Sequence, residues 1–221
     1  MNRRYFISSS LIASLAAFLP KTVFGRSQKA PSWESLIEWA RWAPSVHNLQ
    51  PQRVKVISET EALLCYDPNF LLPIGDPKSE FASSVFGVFV ESLSIAAAPY
   101  GFMVYLSELI KGPSTHKEGI QTFGKIRMAQ LIGKEELNPE LLKQRRTART
   151  DYNGESLAAQ TSEKCAAIAA KFGANFFVTS DKDKVDYLVK INQQTLFDDL
   201  SHDDMRNELD RLFRYSKKEA E

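Results

Sequence analysis

The stretch 81–98, FASSVFGVFVESLSIAAA, constrains the fold of this 221-residue chain more than any other segment. Phe81, Val85, Phe86, Val88, Phe89, Val90, Leu93 and Ile95 put apolar groups on nearly every side of a helix. Ser79 opens that helix, and Pro99 and Gly101 close it. A helix apolar all round is normally buried at the centre of a fold. Glu91 and the interspersed serines argue against a membrane span.

The remaining segments read as the cover for this helix. Ser32 caps a helix over 33–42, with Trp33, Leu36, Ile37 and Ala40 as its apolar stripe and Pro44 as its stop. RVKVIS (53–58) and ALLCYD (62–67) read as two antiparallel strands. DPNFLLPIGDPKSE (67–80) is a loop stiffened by three prolines. Strands are expected at FMVYLSEL (102–109) and QTFGKIRMAQLI (121–132). ELLKQRRTART (140–150) is a short helix running into a basic turn. A helix over 156–171, a strand at ANFFVTS (174–180) and one long charged helix over 181–215 complete the chain. Helix 33–42 with strand 53–58, and helix 156–171 with strand 175–179, form a weak internal repeat. The pattern predicts an α+β fold with a largely antiparallel sheet flanked by helices.

The N-terminus, MNRRYFISSSLIASLAAFLP, has a basic start, an apolar run and then Pro20. This is the form of a secretory leader. Arg3-Arg4 before Tyr5-Phe6-Ile7 resembles the bacterial twin-arginine export signal. Residues 1–25 are expected to be that signal peptide, with cleavage after Gly25 and a periplasmic protein as the result. The alternative is an uncleaved membrane anchor, for which the run 7–19 is short. The resemblance implies export of an already folded protein, often one carrying a cofactor. With 28 basic and 27 acidic residues, the charge balance does not suggest nucleic acid as a partner. His47, His116 and His202 lack metal-ligand spacing, so no metal is expected. Cys65 and Cys165 each sit among apolar neighbours, and two separate buried thiols are expected rather than a disulfide.

Two segments carry chemistry. In ARWAPSVHNLQPQRVKV (40–56), Pro44 and Pro51 fix backbone angles around Ser45, His47, Asn48 and Gln50. A loop held this stiffly presents hydrogen-bonding groups to a planar, polar-edged ligand at low ordering cost. It reads equally as a helix-to-strand connection with polar caps. In RRTARTDY (145–152), Arg145, Thr147 and Arg149 alternate on one side of an extended turn. Two guanidinium groups and a hydroxyl suit a dianionic phosphate. Taken alone, the same run reads as a solvated basic patch.

Together these segments resemble the nitroreductase family of flavin enzymes, closest to the branch in which two nitroreductase-like halves are fused. Pro44, Ser45, Asn48, Gln50 and Pro51 fall on that branch's APSxHNxQP motif, with Gln52 where tryptophan is common and Val54 where an aromatic is common. The 67–80 loop and the apolar helix after it resemble the corresponding segment of the branch. Arg145, Thr147 and Arg149 match the R-x-[ST]-x-[RK] segment that holds the phosphate of FMN in the family. The resemblance covers Trp33 to about Tyr152.

It implies a nitroreductase-like fold with a first half over 26–144 and a partial second half over 145–221. It implies FMN as cofactor, held by Pro44, Ser45, Asn48, Gln50, Arg145, Thr147 and Arg149. Single-domain relatives carry the phosphate segment before the PSxxN segment and build each site from two subunits. Here the phosphate segment comes second, so one chain holds both parts; a homodimer is the other route to a complete site. The implied activity is flavin-mediated hydride transfer to a small electron acceptor such as a nitroaromatic or quinone. No side chain is assigned a catalytic role. His47 is expected to be a structural donor rather than a proton donor. Two other readings stand beside this one: a flavin-sequestering protein with GPSTHKEG (112–119) as a cover, and a protein without cofactor.

Overall fold

A computed structural model describes residues 29–133, 138–148, 153–213 and 216. The expected signal peptide and Arg149 lie outside the described residues. The described residues form a mixed α and β structure with one antiparallel four-stranded sheet. Strands β1 (Gln52–Val56), β2 (Glu61–Tyr66), β3 (Phe102–Leu109) and β4 (Gln121–Gln130) lie in the order β1-β2-β4-β3. Helices α1 (Trp33–Ala40) and α2 (Glu80–Ala97) cover one face. Helices α3 (Glu140–Gln144), α4 (Ala159–Lys171), α5 (Lys182–Ser201) and α6 (Asp203–Asp210) follow.

Local signals account for the first half. The Ser32 Oγ accepts a hydrogen bond from the Ser35 amide at 3.2 Å, the N-cap expected from sequence. The helix ends before Pro44, which disfavours helical angles in the residue preceding it. Ser79 precedes α2 but does not cap it with its side chain. Asp76 does so instead: its buried carboxylate accepts from the Glu80 amide at 2.8 Å and the Ala82 amide at 2.9 Å. A carboxylate here also meets the positive end of the helix dipole.

The core lies between α1, α2 and the sheet. Phe86 is fully buried and packs on Phe123 (4.7 Å between ring centroids) and Tyr66 (5.7 Å). Leu36, Leu64, Leu93 and Ile126 close the layer around it. Along the other face run charged side chains, among them the pairs Lys125–Glu108 at 3.1 Å and Arg127–Glu61. A bulge in β3 between Leu106 and Glu108 brings β3 against β4 at Gly124. A Cβ there would sit 2.5 Å from the Glu108 carbonyl oxygen, so no larger residue fits without movement.

Four expectations need correction. Helix α2 is not buried all round: Phe81, Gly87 and Val88 are exposed on the face turned away from the sheet. A single sheet covers only one side of it, which apolar content alone does not reveal. The expected strand at 174–180 has no ladder partner among the described residues; its backbone is irregular, and Phe177 is 88% exposed. A strand needs a neighbour to satisfy its amides and carbonyls, so the repeat stops at its helix. The long helix over 181–215 is two helices broken at His202, whose backbone is extended. Cys65 is buried, but Cys165 is only half-buried; both are free thiols. Helices α4 and α5 bury no residue.

Candidate functional site

The loop after α1 is tied by its own polar groups. The Ser45 Oγ accepts from the Gln50 amide at 3.1 Å, and the Ser45 carbonyl accepts from the Asn48 amide at 3.0 Å. The Gln50 side-chain amide donates to the Arg41 carbonyl at 2.9 Å, satisfying one of the orphan acceptors at the end of α1. It also donates to Asn48 Oδ1 at 3.3 Å. Arg53 closes the far side, donating through Nη1 to the Gln50 carbonyl at 2.8 Å while its guanidinium lies 5.0 Å from the Phe70 ring centroid.

Three non-glycine residues in this turn are left-handed: His47 (φ 48°), Asn48 (φ 58°) and Gln50 (φ 49°). Asparagine tolerates this region, whereas each of the others stores of order 1 kcal/mol or more. The surrounding hydrogen bonds hold that strained geometry in place, and such local strain clusters at ligand sites.

The arginine segment reaches this loop through α3. The Lys143 ammonium lies 3.5 Å from the centroid of the Trp39 ring, a cation–π contact that docks α3 on α1. Arg145 is the C-cap of α3, and its Nη1 donates to Thr147 Oγ1 at 3.4 Å. Arg146 turns back and donates to the carbonyls of Lys143 and Arg145, which leaves Arg145 and Thr147 as the pair facing the loop.

Pro44, Ser45, His47 and Asn48 line a cleft of about 390 Å³ together with Arg145 and Thr147. Two segments a hundred residues apart thus share one cavity, of a size that small-molecule sites use. Gln50 does not line it; its role is to brace the loop from behind. A guanidinium and a hydroxyl side by side suit an anionic oxygen cluster, and the polar loop opposite suits a ligand edge with donors and acceptors. This donor set fits a phosphorylated planar ligand such as FMN.

The remaining wall was not anticipated. Leu209, Leu212 and Phe213, from α6 and the residues after it, close the cleft. The spacing of Met205, Leu209 and Leu212 is a helical apolar stripe, and that signal was present in the sequence. A second cleft of about 400 Å³ adjoins across Leu212, lined by Leu49, Phe70, Leu72, Thr115 and Arg211 among others. The 112–119 segment, read as a cover, contributes Thr115 to this second cleft and no residue to the first. Searched against models of known protein families and against curated proteins, the chain matches none.

Proposed function

We propose that the protein is an exported, FMN-binding oxidoreductase of the nitroreductase type. The observation that carries this reading is the single cleft shared by the Pro44–Ser45–Asn48 loop and the Arg145–Thr147 pair. Flavin, when bound, supplies the hydride chemistry, passing reducing equivalents to a small acceptor such as a nitroaromatic or quinone. Arg145 and Thr147, with Arg149, hold the phosphate. The 44–50 loop meets the polar edge of the ring system, with Asn48 as the side chain that bonds it. The hydrogen bonds of Ser45 and Gln50 keep that loop in one conformation before the ligand arrives, which lowers the ordering cost of binding. The partners of this reading are FMN, the electron acceptor, the twin-arginine export machinery and, where a second copy completes the site, another protomer; nucleic acid is not among them.

An absorbance spectrum of freshly purified protein tests this reading. Flavin bands that bleach with NADPH or NADH under anaerobic conditions, and return on adding a quinone, support it. A colourless protein that takes up no FMN on incubation rejects it. A flavin-sequestering role is the second reading, favoured by the apolar wall of Leu209, Leu212 and Phe213 over the cleft; flavin bands that no reductant bleaches would select it.

Export is tested separately. Arg3→Lys with Arg4→Lys is expected to abolish periplasmic recovery and leave the protein in the cytoplasm. Undiminished periplasmic recovery would reject the twin-arginine reading.

A further inference from the structure

We infer that the segment running from α6 to Phe213 is a removable wall of the cleft, and that Glu208 is the latch that holds it shut. The identity of the ligand rests on the flavin reading; the latch rests on geometry alone.

Glu208 is the one buried residue of α6, at 3% exposed, on a helix whose other side chains are half-buried or exposed. Its two carboxylate oxygens accept from two successive backbone amides of the 67–80 loop: Oε1 from Ile74 at 2.9 Å and Oε2 from Gly75 at 2.7 Å. One carboxylate held by two adjacent amides is a strong, charge-assisted contact. Gly75 makes the approach possible. A Cβ at that position would sit 3.2 Å from Glu208 Oε2 and 3.7 Å from Met205 Sδ, crowding the latch.

Within the wall, the Arg211 guanidinium also lies 4.0 Å from Glu208 Oε1. Helix α5, which leads into α6, buries no residue. The joint at His202 is a single extended residue between two helices. Arg206 Nη1 donates to the Leu200 carbonyl at 2.9 Å, so α6 is also braced to the end of α5. The next residues on the same face, Leu209 and Leu212, line the cleft with Phe213, and Leu212 also separates the two cavities. The Glu208 carboxylate, which itself lines the second cleft, thus fixes a wall that both clefts share. Glu208 is a positioning residue: it does not line the Arg145 cleft, and it sets where Leu209, Leu212 and Phe213 stand.

The test compares the wild-type chain with Glu208→Gln, Gly75→Ala and, as a control on exposed α4, Glu163→Gln. The glutamine keeps the size of the side chain but presents one acceptor where two amides donate. Gly75→Ala keeps the carboxylate and crowds it from the opposite side, so the two variants share only the latch. FMN release is followed by the recovery of flavin fluorescence, and backbone amide exchange is followed residue by residue. Both latch variants are expected to release FMN faster, the glutamine variant on the order of tenfold. They are also expected to speed exchange at the Ile74 and Gly75 amides while α2 and the sheet exchange as before; Glu163→Gln should match the wild type. Wild-type protein that retains FMN, with release and amide exchange unchanged in both latch variants, overturns the latch and leaves the flavin reading standing. Faster exchange at Ile74 and Gly75 in a chain that never retains FMN overturns the flavin reading and keeps the latch.

Discussion

Replacing Arg145 and Arg149 together by alanine is expected to weaken FMN retention by at least about 100-fold while leaving the fold intact. Each lost charge-assisted bond to a phosphate is worth roughly 1.5–3 kcal/mol, and two such losses reach that factor even after discounting for an exposed site. Arg145 lies beyond the end of a five-residue helix, is exposed, and contributes nothing to the core, so its removal should not lower thermal stability. His116→Ala and His202→Ala serve as controls, since neither residue lines the cleft. Equal flavin occupancy in the arginine and histidine variants would remove the phosphate assignment.

The second large effect concerns the core. Phe86→Ala is expected to destabilise the protein by about 3–5 kcal/mol. The ring is completely buried, lies between Phe123 and Tyr66, and joins α2 to the centre of the sheet. None of these neighbours can fill the vacated volume without giving up its own contacts. For a chain of this size the loss corresponds to roughly 6–20 °C in melting temperature, read by thermal unfolding of both proteins. A fall of only a degree or two would mean that α2 does not organise the core as described.

How much of this was legible beforehand follows from the range of each signal. Strand β3 has the bounds expected for the run FMVYLSEL after Gly101, and the Ser32 cap is where a hydroxyl before an apolar stripe should put it. Those signals are complete within a few residues. The cap of α2 was assigned to Ser79 because Ser79 is adjacent, whereas the carboxylate that bonds the helix amides comes from Asp76, across the turn. The segment 174–180 has the composition of a strand, but composition cannot supply the neighbour a strand requires. The break at His202 did leave a trace: Asp203 and Asp204 crowd the first turn of α6, as acidic residues do at a helix start.

The site divides in the same way. Pro44, Ser45, Asn48, Arg145 and Thr147 were singled out from sequence, and all five line one cleft. Gln50 was singled out too, but it braces the loop instead of facing the cavity. The left-handed angles of His47 and Gln50 could not be foreseen: such angles are uncommon outside glycine, glutamine is not among the types enriched there, and the enrichment of histidine is too small to single out one residue. Glu208 was invisible, since its partners are backbone amides that carry no sequence signature, more than a hundred residues away.

Titrating the flavin-free protein with FMN and, separately, with riboflavin tests the central claim most directly, because the two ligands differ only in the phosphate. Quenching of flavin fluorescence should give FMN an affinity about 100-fold above that of riboflavin, the difference two charge-assisted contacts provide. Equal affinities, or no binding of either, would contradict the convergence of the 44–50 loop and the arginine segment on one FMN molecule.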